Sequence, residues 1–485
     1  MKINTNLKNF KQIHLRKKNQ ILFRTRTCKQ YQKVENLFRF LLAEKNSFIF
    51  ESVEKGKIKG RYTIIGYNPD KIWDVNKDRI TIDSQGKKRT FKAKPLDYIN
   101  KLIKNFNIKI PRNLPSMSSM LVGYFSYDVI RYVEKIPNKC FDDLKIPDVR
   151  LSRPRNLVIY DNQKKKIYYI ENVYSDIKIK NLDEFYNSVI ERFNLFEDYE
   201  NIRLPEEFTY KINKNLVKSN TSKKKFKSLV KKAKKYISRG DIFQVVLSQR
   251  FERKLEKRPL EIYNYLRKSN PSPFMFYFNY KDFNVLGSSP EILVRLRKNQ
   301  VTIRPIAGTR PRGKNQKEDK KYELDLLKDK KELAEHLMLL DLGRNDVGKV
   351  VEINSVKVTE KFKVEKYSHV MHIVSNVIGK FNNKFSLFET LLSGFPAGTV
   401  SGAPKIRAME IIDELEKNKR KLYAGGIGYF TPNNEFDTCI ALRTAVIKDK
   451  KFYVQAGAGV VADSKPEKEY AETVNKAKAL MKATD

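Results

Sequence analysis

Two pairs of glutamates, each spaced Glu-x-x-Glu, are the side chains of this sequence best suited to binding a metal ion. The first pair is Glu332 and Glu335, and the second is Glu469 and Glu472. In a helix, a spacing of three places both carboxylates of a pair on one face. Four carboxylates on two helices could hold one hard cation such as Mg²⁺, which prefers oxygen ligands. Lysines precede the first pair, so the spacing alone favours surface ion pairs over a metal site.

Glycine-rich turns offer a second kind of chemistry, the binding of an anion by backbone N–H groups. The segment 304–313 reads "RPIAGTRPRG", and further glycines cluster at 425–428 and 457–459. Glycine permits close backbone approach, although ordinary turns explain such clusters equally well. Neither the GxGxxG spacing of a dinucleotide site nor the GxxxxGK[ST] of a phosphate loop is present.

Single residues in apolar surroundings are further candidates. Arg443 lies inside "IALRTAV", a predicted strand, where a buried charge needs a carboxylate from the protein or from a ligand. His372 lies in the alternating run "SHVMHIVSNV" and could offer its ring to a pocket. His336, on an apolar helix, is more typical of a packed core residue.

The composition excludes several classes of protein. The net charge of +42 is suggestive of nucleic-acid binding, but lysine is spread along the whole chain and no nucleic-acid-binding motif is present. A basic DNA-binding protein remains the alternative of a different class, recognisable by an affinity that falls steeply with salt. Three distant cysteines predict reduced thiols. With no apolar run of about 18 residues and no secretory signal, we expect a cytoplasmic protein.

The elements that must position these residues are strands joined mainly by hairpins, with helices grouped between them. The segment "TSKKKFKSLVKKAKKYISRGD" and the segment 322–340 have helical periodicity, and 424–461 reads as a meander of three strands. This pattern predicts an α+β fold of layered, sandwich-like antiparallel sheets with helices packed outside. A polar connector between the N-terminal and C-terminal parts divides the chain into predicted domains at 1–205 and 221–485.

Nine motifs in one order carry a resemblance to a known family. They are "GDIFQVVLSQRF", "NPSPFMFYF", "GSSPEILVR", "RPIAGTRPRG", "AEHLMLLDLGRND", "VMHIVSNV", "FPAGTVSGAPKIRAMEII", "YAGGIGYF" and "QAGAGVVADSKPEKEYAETVNKA". Together they resemble the chorismate-utilising enzymes over nearly the whole chain, most densely from about 225 to 480. The resemblance implies the fold of that family and a C-terminal chorismate-binding catalytic domain.

The resemblance also implies roles for individual residues. It makes Mg²⁺ the cofactor and reverses the reading of the glutamate pairs as surface ion pairs. The implied metal ligands are Glu332, Glu335, Glu469 and Glu472. The residues implied to bind chorismate are Gly308, Thr309, Tyr423, Arg443, Gly457 and Gly459. The implied catalytic residues are Glu291 as general acid for the C4 hydroxyl, Thr399, and His372 in the loss of pyruvate.

Two positions discriminate among members of the family. Members that add water at C2 of chorismate use a lysine where this chain has Gln244. Members that form aminodeoxychorismate for folate synthesis use a nucleophilic lysine where this chain has Ala307. Both substitutions favour direct attack by ammonia, which gives anthranilate and pyruvate in the first step of tryptophan biosynthesis. Formation of aminodeoxychorismate is the alternative.

The family implies two partners besides chorismate. The sequence shows no glutaminase segment, so ammonia is expected from a separate glutamine amidotransferase subunit. Feedback by tryptophan is implied by a pocket of Glu51, Ser52, Pro273 and Met275, with the N-terminal domain contributing to this site and to contact with the partner. The family commonly has Leu and Tyr where this chain has Phe50 and Phe274.

Overall fold

The computed structural model describes residues 3–54, 58–199, 217–367 and 370–484, which form antiparallel strands and surrounding helices. The strands are β1 (Gln20–Thr27), β2 (Ser47–Glu51), β3 (Val53–Glu54), β4 (Ile58–Lys59), β5 (Tyr62–Asn76), β6 (Arg79–Ser84), β7 (Lys87–Lys92), β8 (Leu121–Phe125), β9 (Val149–Asp161), β10 (Lys166–Val173), β11 (Lys218–Ser219), β12 (Gln244–Lys254), β13 (Phe274–Asn279), β14 (Asn284–Ser289), β15 (Ile292–Arg297), β16 (Gln300–Ile303), β17 (Ile306–Pro311), β18 (Lys357–Lys366), β19 (Val370–Lys380), β20 (Gly402–Ala403), β21 (Gly426–Phe430), β22 (Phe436–Ile440), β23 (Thr444–Lys448) and β24 (Lys451–Val460). The helices are α1 (Leu7–Leu15), α2 (Tyr31–Ala43), α3 (Pro95–Lys104), α4 (Leu182–Tyr199), α5 (Lys223–Ser238), α6 (Pro259–Ser269), α7 (Gln316–Lys328), α8 (Lys330–Gly348), α9 (Leu387–Ser393), α10 (Lys405–Leu415) and α11 (Pro466–Met481). Short 3-10 turns occupy Tyr127–Tyr132, Gly398–Val400 and Lys482–Thr484.

Two layers of strands share the long ribbon formed by β5 and β9. The first layer runs β1-β10-β9-β5-β2-β13-β14-β23-β24-β12. The second runs β7-β6-β5-β9-β8-β21-β22-β15-β16-β19-β18, and β17 also pairs with β19. The ribbon changes register between Pro69 and Lys71, so its two halves join different layers.

Alternating side chains of the strands build one core between the layers and another beneath the helices. In β2, Phe48 belongs to the core between the layers, whereas Ile49 packs into the core that contains residues of α2, α4 and α6. The ring of Phe50 in the first layer lies 5.9 Å from that of Tyr429 in the second. This period of two is what a strand buried on both faces requires. The predicted α+β fold of layered antiparallel sheets with outer helices is confirmed.

Helix α5 forms as its sequence predicts. Ser222 caps it by accepting the N–H of Lys225, and Phe226, Leu229 and Val230 are buried along one stripe. The segment predicted as one helix over 322–340 lies instead in two, α7 and α8, because Asp329 ends the first and caps the second. Within the described residues, every helix is too short or too polar to cross a bilayer.

The division into domains at 1–205 and 221–485 stays a prediction. Strands from the two predicted parts hydrogen bond to each other in both layers, β2 with β13 and β8 with β21. Most of the predicted connector lies outside the described residues.

Candidate active site

Glu291 is a buried carboxyl group at the turn between β14 and β15. Its side chain accepts a hydrogen bond of 3.1 Å from the hydroxyl of Thr399 and another from the backbone N–H of Ile306. Burial disfavours the charged form and raises the pKa of Glu291 to about 8, against the lowering effect of these donors. At neutral pH the group therefore carries a proton, which is the state that a general acid requires.

His372, on β19, faces the segment that contains Gly308 and Thr309. Its Nδ1 lies 2.9 Å from the carbonyl oxygen of Gly308 and 3.1 Å from the hydroxyl oxygen of Thr309. Burial, with a smaller effect of the charges of Arg443 and Lys476, lowers the pKa of His372 to about 4, against the raising effect of its hydrogen bond to Gly308. A neutral ring whose Nδ1 faces a carbonyl carries its proton there, which leaves Nε2 as a free base.

Gly308 occupies a bulge where β17 approaches helix α8. Its φ is +68°, and the register against β19 shifts between Ala307 and Thr309. A Cβ at this position would lie 3.1 Å from Leu326 and 3.2 Å from a carboxylate oxygen of Glu332. The backbone angle therefore favours glycine, and a Cβ would fit only if the neighbouring side chains moved by a few tenths of an ångström.

Two glycines of β24 leave the strand backbone open beside polar side chains. Gly457 donates its N–H to the hydroxyl of Tyr423, and a Cβ there would lie 2.6 Å from that oxygen. A Cβ on Gly459 would lie 2.6 Å from the amide nitrogen of Gln244. A ligand could approach the backbone of this strand only because both side chains are absent.

Arg443 follows β22 in a left-handed conformation, with φ +46°. Burial lowers the pKa of its guanidinium group. In the part of the chain that the structure describes, no carboxylate forms an ion pair with this group. A half-buried cation without an acidic partner is suited to a ligand carboxylate.

The two glutamate pairs lie on α8 and α11, on either side of Gly459. Glu335 accepts a hydrogen bond of 3.1 Å from Gln244, and its oxygen is 4.0 Å from where a Cβ of Gly459 would lie. On the other side, Glu469 accepts a hydrogen bond from Ser464, whose hydroxyl lies 3.5 Å from the carbonyl oxygen of Gly459. One carboxylate of each predicted pair thus lies close to the same strand, β24.

The carboxylates of these pairs repel each other. Burial raises the pKa of Glu332 and of Glu469, and the neighbouring Glu335 and Glu472 raise it further. Lys476 pairs with Glu472 at 2.6 Å. Among the described residues, no three acidic, histidine or cysteine side chains are arranged to enclose a metal. The side chains nevertheless fit a hard divalent cation, because all four are carboxylates and a cation between them would relieve their repulsion.

A cavity of about 1350 Å³ lies between the layers, and its wall contains the predicted tryptophan pocket. The residues of that pocket that line it are Glu51, Ser52, Pro273 and Met275, together with Phe50 and Phe274. The Glu51 carboxylate is bound by Arg267 at 2.7 Å and by the Tyr263 hydroxyl at 2.9 Å. The structure thus brings together the two halves of the predicted pocket, Glu51–Ser52 and Pro273–Met275, because β2 pairs with β13.

Some residues near the site were missed by the sequence analysis. Tyr367 stacks edge-on against His372 with ring centres 5.5 Å apart, and its hydroxyl donates to Glu365. Lys476 donates to the carbonyl of Gly457, which places an ammonium group beside the predicted substrate site. Only the Lys476 position had a local signal, its spacing of four from Glu472 on one helix.

The fold and this site agree with comparisons to known proteins. Residues 45–482 match the family model of the chorismate binding enzymes. The chain belongs to that family.

Within the family, the curated relatives narrow the assignment. Anthranilate synthase component 1 of Cereibacter sphaeroides is 46% identical over 475 residues, covering 96% of this chain and 95% of the relative. The same component of Aquifex aeolicus is 45% identical over 455 residues, covering 92% and 90%. The chain groups with the anthranilate synthase component 1 proteins, as its motifs predict.

Solved structures are also similar to this chain. Anthranilate synthase component I of Streptococcus pneumoniae superposes with a TM-score of 0.77 at 36% identity, over 88% of this chain and 94% of that one. The menaquinone-specific isochorismate synthase of Escherichia coli has a TM-score of 0.71 at 18% identity, covering 99% of both chains, and shows the shared fold alone. The roles of individual site residues stay predictions.

Proposed function

We propose that this chain forms anthranilate and pyruvate from chorismate and ammonia, using Glu291 as the acid and His372 as the base. The assignment of roles rests on a carboxyl group with a raised pKa and an imidazole with a lowered pKa, so that at neutral pH the first can donate a proton and the second is free to accept one. Pairs of titratable groups whose environments separate their pKa values are typical of acid and base catalysts.

Chorismate carries two carboxylates, and the site offers two kinds of partner for them. Arg443 and the hydroxyl of Tyr423 would bind the enolpyruvyl carboxylate. That carboxylate would supply the acidic partner that the guanidinium group lacks among the described residues. The backbone of Gly308, Thr309, Gly457 and Gly459 would cradle the ring. Fixing both ends of the substrate converts binding into orientation of the reacting carbons.

Glu332, Glu335, Glu469 and Glu472 would hold Mg²⁺. When bound, the cation neutralises the ring carboxylate and withdraws electron density from the ring. The raised pKa values of Glu332 and Glu469 support this assignment, because burial and then repulsion by the paired carboxylate raise them, and a bound cation would offset both effects.

In the first half-reaction, ammonia bonds to C2 while the ring double bonds shift and the C4–O bond breaks. Hydroxide is a poor leaving group, so the proton of Glu291 is transferred to it and water departs, while the proton that the nitrogen loses after bonding to C2 would restore the acid. The hydrogen bond from Thr399 holds the carboxyl group in place for this transfer.

In the second half-reaction, the C2 proton is removed and the C3–O bond breaks. Nε2 of His372 would accept the proton, while Nδ1 stays bound to the carbonyl of Gly308. The enolpyruvyl group leaves and takes up a proton to become pyruvate, and the ring becomes aromatic.

Two side chains favour ammonia over competing nucleophiles. Gln244 has an amide where water-adding relatives have a basic amine, and this amide donates to Glu335. Ala307 lies in β17 opposite Ile373 and has no amine to attack C2. Aminodeoxychorismate synthesis, the competing assignment, needs a nucleophilic lysine at this position, where this chain has Ala307.

Ammonia would come from glutamine through a separate amidotransferase subunit, and tryptophan would inhibit by occupying the cavity that Glu51, Ser52, Pro273 and Met275 line. A labelling experiment tests the ammonia assignment: the isolated chain is supplied with chorismate, Mg²⁺ and either ¹⁵N-ammonium or ¹⁵N-amide glutamine. Labelled anthranilate and an equal amount of pyruvate are expected with ammonium only. Equal labelling from glutamine without a second subunit would refute the partner assignment.

A further inference from the structure

Arg310, two residues after Gly308 in β17, contacts three carboxylates of the neighbouring helices. Its Nε lies 2.6 Å from Asp325 on α7, and one terminal nitrogen lies 2.7 Å from Asp329 between α7 and α8. The other terminal nitrogen is 3.8 Å from Glu332 and donates to the carbonyl of Thr309 at 3.1 Å. The planar guanidinium group therefore serves as a branched connector, a geometry that lysine lacks.

Asp329 transmits this contact to the backbone of α8. One of its oxygens accepts the N–H groups of Lys331 and Glu332, at 3.1 and 3.2 Å, and so caps the helix. The other oxygen accepts from Arg310. A single carboxylate thus joins strand β17 to the first turn of the helix that carries Glu332 and Glu335.

The close contact at Gly308 makes the position of that turn critical. A carboxylate oxygen of Glu332 lies 3.2 Å from where a Cβ of Gly308 would stand. The carbonyl of the same glycine binds His372. A shift of the first turn of α8 would therefore alter the position of Glu332 relative to both Gly308 and the histidine.

We propose that Arg310 is a positioning residue for the metal-binding helix, holding Glu332 and Glu335 against the segment Gly308–Thr309 through Asp329. The proposal rests on the proposed Mg²⁺ site. Residues that orient metal ligands in this way typically contribute about 10- to 100-fold to metal affinity.

Positioning and charge predict opposite effects of removing this arginine. A positive charge 3.8 Å from Glu332 repels a cation bound there, so electrostatics alone predict tighter Mg²⁺ binding by Arg310→Gln. Loss of positioning predicts weaker binding. The direction of the change in affinity therefore distinguishes the two.

The experiment is a calorimetric titration of Mg²⁺ into the full chain without chorismate, with thermal unfolding as a check on folding. Arg310→Gln is compared with Asp329→Asn, because asparagine retains a capping oxygen but loses the ion pair. Lys320→Gln is the matched control: it removes one positive charge from α7, where Lys320 pairs with Glu323 at 3.3 Å. Arg310→Lys retains the charge without the branched contacts and replaces Arg310→Gln if that variant does not fold.

We expect Kd for Mg²⁺ to rise about 10- to 100-fold in Arg310→Gln, less in Arg310→Lys, and not in Lys320→Gln. Combining Arg310→Gln with Asp329→Asn should raise Kd little beyond the larger single effect, since both variants break the same Arg310–Asp329 ion pair. In turnover, the Mg²⁺ concentration for half-activation should rise while kcat at saturating Mg²⁺ largely recovers. Unchanged or tighter binding by folded Arg310→Gln would overturn the positioning role alone, whereas a wild-type chain that binds no Mg²⁺ would overturn the metal site as well.

Discussion

The hydroxyl of Thr399 lies 3.1 Å from Oε1 of the buried Glu291 and donates a hydrogen bond to it. The relationship joins two segments 108 residues apart in sequence, the turn after β14 and the 3-10 turn before α10. It is the geometric basis of the proposed proton transfer to the C4 hydroxyl.

The pH dependence of turnover should follow Glu291. An acid with a raised pKa of about 8 is protonated below that pH and loses its proton above it, so kcat/KM for chorismate should fall above about pH 8. Rates must be expressed per free ammonia, whose concentration rises with pH. His372, with its pKa lowered to about 4, adds no fall in rate near pH 6. A rate per free ammonia that stays level to pH 10 would contradict the role of Glu291.

Replacing His372 should separate the two half-reactions. In His372→Ala the first step keeps Glu291, so chorismate should still be consumed, but the aminated ring should accumulate because its C2 proton is not removed. Anthranilate formation should fall about 10²- to 10⁴-fold, the usual contribution of a general base. Chromatography of the products measures both species. Equal losses of chorismate consumption and anthranilate, with no new product, would argue against the assignment.

Neutralising one carboxylate of each pair should abolish turnover. Glu335→Gln and Glu472→Gln each remove a proposed Mg²⁺ ligand without changing the shape of the side chain. Glu467→Gln is the control on α11, since Glu467 is a surface residue paired with Lys223 and Lys227. Initial rates over a range of Mg²⁺ concentrations provide the measurement. Near-normal rates in both ligand variants would exclude this metal site.

Filling the inter-layer cavity should uncouple tryptophan from catalysis. In Ser52→Phe a large side chain enters the cavity that Ser52 lines, while the proposed catalytic residues are unchanged. We expect the tryptophan concentration for half-inhibition to rise at least about tenfold, since losing a few contacts worth about 1.4 kcal/mol has this effect. Steady-state rates with and without tryptophan test it. Inhibition equal to that of the wild type would place the effector elsewhere.

The sequence predicts the parts of the site that depend on local spacing. Glu-x-x-Glu pairs define one helical face wherever they occur, and the order of motifs identifies the family. Local spacing does not reveal burial, so the pattern alone favoured surface ion pairs even for Glu469, which is only 8% exposed. The decisive property is the environment that the fold gives these carboxylates.

Local spacing could not predict the ion pairs between segments that are distant in the sequence. The segment "RPIAGTRPRG" contains strand β17, and its arginines pair with carboxylates of the protein: Arg304 with Glu365, Arg310 with Asp329 and Arg312 with Asp319. The sequence pattern left open whether this segment binds an anion or forms an ordinary turn. Only the tertiary structure shows that these arginines hold neighbouring elements in place.

The most direct test of the account is the protonation state of Glu291 in the resting chain. An infrared difference spectrum between the wild type and Glu291→Gln at pH 7 isolates the absorption of this carboxyl group. We predict the band of a protonated carboxylic acid, converting to that of a carboxylate as the pH rises through about 8. A carboxylate band at pH 7 would contradict the claim that Glu291 supplies the proton for the departing hydroxyl group.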